Sequence, residues 1–176
     1  MHARFLQADD VAGLREQAEW AEANGAGAVV IGEGPLGDPV VLAAGLSSSV
    51  HRALLGVRTS LTSGRHPAVV AREMTTLDLV CGGRSVLCAA PPFGRPEALR
   101  EAIELCRALW RQGVADGGEH FPVERAVNRP RSFTDASPMV ALELAPTGEL
   151  PEALVGVADL LLHPSPERSV WRMART

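Results

Sequence analysis

The chain has 176 residues, of which 46% are hydrophobic and 22% charged, with a formal net charge of −4. That is room for one domain with a sizeable core, which excludes both disorder and a mini-protein stapled by disulfides or metals. The acidic balance offers no basic field to nucleic acid or to an anionic membrane surface, and the absence of Lys and Tyr removes Schiff-base and phenol chemistry.

The first segment, ARFLQ at 3–7, reads as a strand. Asp9 and Asp10 are N-cap candidates for a helix running to about Asn24, with Val11, Leu14, Ala18 and Ala21 at helical spacing. AVVIG at 28–32 is a continuous apolar run, the signature of a strand buried on both faces. Asp38-Pro39 opens a second helix, 53–61 reads as a third strand, and His66-Pro67 leads a helix to about Val80. SVLCAA at 85–90 is a fourth strand, and a helix from Pro96 to Arg111 sets Leu99, Ile103, Cys106 and Trp110 along one face.

Residues 112–137 lose periodicity and read as a long loop. A fifth strand follows at 138–144, a weak helical signal at 149–157, and a sixth strand at 158–164. The tail carries one short helical possibility ending near Arg175.

Alternating apolar strands and amphipathic helices mean an α/β fold with a parallel sheet, either doubly wound or a (β/α) barrel. Neither GxGxxG after the first strand nor GxxxxGK[ST] occurs. Polar groups at strand C-termini, where barrel sites form, favour the barrel, although a full one takes about 250 residues. Cys81, Cys88 and Cys106 lie in apolar runs without CxxC spacing and read as buried, reduced thiols. No apolar run approaches the roughly 20 residues of a membrane span, and MHARFLQADD does not read as a secretory signal. The expected compartment is the cytoplasm.

The stretch RHPAVVAREMTTLDLVCGGRSVLCAA, from Arg65 to Ala90, resembles the bacterial luciferase-like flavin-dependent oxidoreductase family. AEWAEANGAGAVVIGEG (18–34), DPVVLAAGL (38–46), LGVRTSL (55–61) and EALREAIELCRALWRQG (97–113) match in the same order. The resemblance implies a truncated (β/α) TIM-type barrel of about six βα units, one domain over 1–176 lacking the last units. It further implies reduced FMN or a deazaflavin coenzyme at the strand C-termini, a small organic substrate, and a homodimer through the helices at about 38–49 and 67–80.

Carried onto this chain, the resemblance places Arg58, Thr59 and Ser60 under or beside the flavin ring, where family members can carry a non-proline cis peptide. Ala90 and Pro91 fall at the ring's edge, and Glu33 and Glu143 face substrate as acid–base or anchoring groups. Each has a plainer reading: Glu33 as a solvated loop acid, Arg58 with Glu143 as an internal ion pair. The chain also departs from the family. Pro91 and Pro92 remove two N–H donors from the turn after the fourth strand, Thr147 is the one hydroxyl in the turn after Glu143, and an expected His after Glu33 is a Gly.

A second function is therefore open: a cofactor-less relative acting as a binding protein or as the partner of a complete paralogue. A third is non-redox acid–base chemistry by Glu33 and Glu143. An unfinished barrel would expose strand edges at ARFLQ and DLLLHP, which must be paired or covered. Among the other polar residues, His66 reads as a positioning group at a helix start, and Asp78 as a partner for Arg84 and nearby turn N–H groups. His120 and His163 have no second ligand at metal spacing, Ser47–Ser49, Ser60 and Ser63 no nucleophile-elbow motif, and Arg125, Arg129 and Arg131 read as a solvated loop or an anion site.

Overall fold

A computed structural model describes residues 1–62, 64–90, 94–133, 138–145, 147–165 and 170–176. The first four units follow the expected order: β1 (His2–Leu6), α1 (Val11–Ala23), β2 (Ala28–Gly32), α2 (Pro39–Leu46), β3 (Leu54–Thr59), α3 (Pro67–Val80), β4 (Ser85–Ala89) and α4 (Pro96–Gln112). Each helix starts where its local chemistry says it should. Asp10 accepts from the Gly13 amide at 2.7 Å, Asp38 from Val40 and Val41 at 2.8 and 3.1 Å, and His66 Nδ1 from Ala68 at 3.2 Å. Pro stands in the first turn of α2, α3 and α4, and Gly113 ends α4 with φ 79°.

The stretch beyond α4 is more ordered than its composition suggests. Two short strands, β5 (Val114–Ala115) and β6 (Ala126–Val127), pair antiparallel. Between them Glu101 of α4 accepts from the amides of Gly118, His120 and Phe121 at 2.8–3.2 Å. Gly117 is required here, because a Cβ would stand 1.9 Å from the Phe121 carbonyl oxygen. β7 (Met139–Glu143) follows, then a single 3₁₀ turn at Glu152–Leu154 where a helix was expected, then β8 (Leu160–Pro164).

The main correction lies in the tail. Instead of a short helix it forms β9 (Val170–Arg175), a seventh strand of a closed barrel ordered β1-β2-β3-β4-β7-β8-β9. The first six strands are parallel, and β9 lies antiparallel between β8 and β1. Residues 165–169 are too few for a parallel crossover, which takes a dozen residues or more, so the return strand must run the other way. The two edges that six strands would leave open are both paired by it.

Alternation along the strands divides the interior in two. Ala3, Ala28, Val30, Val86, Cys88, Ala141, Leu160 and Leu162 fill the barrel lumen, with Phe5, Leu54, Met139, Trp171 and Met173 packed against them. Val29, Ile31, Leu55, Val57, Leu87, Val140 and Leu142 face outward into the shell formed with Leu14, Leu46, Met74, Leu77 and Ile103 of the helices. Trp110 Nε1 donates to the Ala71 carbonyl at 2.9 Å and ties α4 to α3. No helix among the described residues is long and apolar enough to cross a membrane.

Two predictions arise from this packing. A Cβ on Gly56 would lie 2.8 Å from Val30 Cγ2 and 3.3 Å from Cys88 Sγ. Gly56→Ala is therefore expected to lose about 1–3 kcal/mol through overpacking, read as a lowered urea midpoint at unchanged m. The second concerns acid. Glu22 of α1 accepts from the amides of His51, Arg52 and Ala53, pinning the segment that leads into β3.

Burial pushes the pKa of Glu22 up, but the Ala53, Arg52 and His51 amides outweigh it and leave the carboxyl below its ordinary range. At Glu101 burial likewise pushes up, and the His120 and Phe121 amides outweigh it. A depressed folded pKa gives stability that is present above the unfolded value of about 4.3 and lost as pH falls through the folded value. Acid titration of unfolding should therefore show a steep limb below about pH 4.5 that flattens in the Glu22→Gln and Glu101→Gln variants. Unchanged limbs in both would remove these carboxylates from the acid response.

Candidate active site

The strand C-termini open into a cavity of about 830 Å³. β1 contributes Phe5 and Leu6, β2 Ile31 and Gly32, β3 Arg58, β7 Glu143 and β9 Trp171, while Glu33 to Leu36 form one side of the rim. Parity places the side chains: Arg58 and Glu143 end the lumen-facing rows of their strands, above Cys88 and Ala141. Phe5 and Trp171 meet with ring centroids 5.3 Å apart at 58° and form the aromatic part of the cavity wall. The Arg58 guanidinium stands 6.0 Å from the Phe5 ring centroid.

Arg58 and Glu143 pair across the mouth, Nε to Oε2 at 2.6 Å and Nη2 to Oε1 at 3.4 Å. The Glu143 side chain is 6% exposed and that of Arg58 39%, so the carboxylate is sealed in and the guanidinium half faces the cavity. The Thr59 hydroxyl donates to Glu33 Oε1 at 2.9 Å and so holds in place an exposed loop carboxylate that also lines the cavity. Of the seven residues singled out from the sequence, four thus meet in two contacts. Ser60 and Ala90 follow β3 and β4 directly, half-buried at the same end of the barrel. Pro91 lies outside the described residues, as does Ser63.

Sequence reasoning missed Trp171 because the expected helical tail hides it, and Phe5, inside an expected strand, because its aromatic partner at the mouth is Trp171. The signal was present: Trp171 and Met173 alternate with Arg172 and Ala174. The peptides of Arg58, Thr59 and Ser60 are not cis, and the cis bond among the described residues is Arg129–Pro130. Cys88 sits beneath the Arg58–Glu143 pair, fully buried, and burial, with the nearby Glu143 charge, pushes its thiol up to about 12. It is a protonated packing group and not a nucleophile.

Other expectations resolve as structure. Asp78 is buried and accepts from the Ser85 hydroxyl at 2.7 Å and the Phe133 amide at 3.1 Å, whereas Arg84 turns to the Ala53 carbonyl. The expected Asp78–Arg84 partnership is therefore replaced, because Arg84 reaches the β3 end directly. Arg125, Arg129 and Arg131 are exposed. Among the described residues no three His, Cys, Asp or Glu side chains are grouped to hold a metal.

The family described as luciferase-like monooxygenase matches residues 2–143 of this chain. Among curated proteins, none matches significantly in sequence. In solved structures, the coenzyme F420-dependent tetrahydromethanopterin reductase of Methanopyrus kandleri superposes with a TM-score of 0.78 at 18% identity, over 90% of this chain and 54% of that one. EDTA monooxygenase from Chelativorans sp. BNC1 follows with 0.70 at 18%, over 86% and 48%. The oxygenating constituent of 3,6-diketocamphane monooxygenase from Pseudomonas putida, in complex with FMN, gives 0.58 at 15%, over 73% and 44%. The chain spans about half the length of these relatives, and at such identities the likeness shows the fold.

Proposed function

The chain belongs to the luciferase-like monooxygenase family, and from that membership we propose that its barrel mouth binds the ring of a flavin-type coenzyme, reduced FMN or a deazaflavin, beside a small organic substrate. The observation that carries this reading is the mouth itself: an 830 Å³ cavity lined by the Phe5–Trp171 aromatic pair and, next to it, the Arg58–Glu143 pair. Such a space suits a flat heteroaromatic ring that needs an apolar face and polar partners along one edge.

When bound, the coenzyme would supply hydride or dioxygen chemistry that no side chain here can. The chain's own residues would do the rest. Arg58, held by Glu143, would present its outer N–H groups to the ring's polar edge, with Thr59, Ser60 and Ala90 at the same end of the barrel. Phe5, Leu36 and Trp171 exclude water from the ring face. Glu33 is exposed and shares one oxygen with Thr59, so it is the carboxylate free to take or return a substrate proton; Glu143 orients Arg58.

Addition of excess FMN or a 5-deazaflavin followed by desalting tests the reading. Retained visible absorption and quenching of the fluorescence of Trp171, absent in Trp171→Phe, are expected. No retained ligand and no quenching with either compound would overturn it. A second reading, a cofactor-less binding or partner subunit, draws on one observation: Arg58 is already committed to Glu143.

Self-association belongs to the same proposal. The buried faces of α2 and α3 cover this chain's own barrel, yet Val41, Val69 and Val80 stay exposed and would suit a second copy packed on these helices. Sedimentation of the wild type against Val41→Glu would test it. The three buried free thiols fit a reducing compartment such as the cytoplasm.

A further inference from the structure

The charges around the mouth decide which form of ligand it can take, and this inference rests on the flavin reading above. Among the described residues lining the cavity, Arg58 is the one cation, set against the carboxylates of Glu33 and Glu143. Arg58 is not free to serve an anion. Swinging it away would leave the sealed Glu143 carboxylate without its cation, a change that opposes any gain from a new phosphate contact.

Phosphates on barrel C-terminal faces are commonly received by helix N-termini. Here the helices that follow β1, β2 and β3 are closed by the chain's own acceptors. Asp10 fills the start of α1, Asp38 that of α2, and His66 Nδ1 that of α3. Two of those three are carboxylates, which repel a phosphate as well as displace it. The neighbouring cation, Arg65, is spent on Asp38 at 2.7 Å and on Glu73 at 2.9 Å. α4 alone among the four helices lacks a side-chain cap hydrogen bond, and its first residues do not line the cavity.

We propose that the mouth selects the uncharged, phosphate-free form of its ring ligand, so that a terminal phosphate gains nothing in affinity and is repelled at low salt. Ring recognition then comes from Phe5, Trp171 and the outer face of Arg58, and charge discrimination from Glu33 with the capped helix starts. The substrate class consistent with this field is neutral or cationic.

Equilibrium titration of the full chain with riboflavin and with FMN, followed by flavin fluorescence at low and high salt, tests the proposal. Riboflavin should bind at least as tightly as FMN, with FMN weaker by about fivefold at low ionic strength and the gap closing as salt screens the carboxylates. Glu33→Gln should narrow the same gap. FMN binding more tightly than riboflavin overturns the selectivity while leaving the flavin reading intact; loss of that advantage in Arg95→Ala would then place the phosphate at the α4 start. Binding of neither, nor of their 5-deaza counterparts, overturns the flavin reading and this inference with it.

Discussion

Deleting residues 170–176 is expected to abolish cooperative folding. β9 supplies the barrel's closure: it pairs with β1 through His2, Ala3 and Arg4 and with β8 from Leu160 to Pro164. Its loss would leave two unpaired strand edges and withdraw Trp171 and Met173 from the lumen. The hydrogen bonds and apolar burial lost together are comparable with the whole stability of a domain this size, about 5–15 kcal/mol. Circular dichroism melts and size exclusion should show a broad transition and aggregation through β1 and β8. A monomer that still melts sharply would mean that the six parallel strands close or stand on their own.

Arg58→Ala should be the most damaging single substitution at the mouth. It strands a carboxylate whose side chain is 6% exposed, and breaking a buried pair from one side costs about 3–5 kcal/mol; with Arg58 itself partly hydrated, about 2–3 kcal/mol is expected. Glu143→Gln leaves a guanidinium that can reach water, so its cost should be nearer 1 kcal/mol. Urea unfolding of both variants at neutral pH checks this ordering. Equal costs in the two variants would show that the pair is a surface contact of little weight.

The two predictions differ in how far the sequence foresaw them. An Arg in the apolar run 54–59 had to find a partner, either an anionic ligand or Glu143 at the end of another apolar run; the structure joins it to Glu143 at 2.6 Å. The capped helix starts at Asp10, Asp38 and His66 were equally legible, since capping is a local matter of one side chain and the next few amides. The hairpin at 114–127 was not, because its order comes from Glu101, a helix residue whose carboxylate gathers three loop amides from a distance in sequence. Nor was the replacement of the Asp78–Arg84 contact, which depends on where the β3 end lies relative to α3.

By itself the sequence determined the α/β alternation, the strand and helix order through residue 112, the lumen-facing Arg58 and the family to which the chain belongs. Those follow from periodicity, caps and apolar runs, which act over a few residues. Tertiary structure alone decided how the barrel closes. Residues 170–175 are too short and too mixed in composition for local propensity to choose a state; the choice is made by two open edges, one from each end of the chain, whose unpaired backbone groups a single antiparallel strand satisfies at once. That strand also carries Trp171 to the mouth, so the aromatic wall of the candidate site exists only because the barrel had to close.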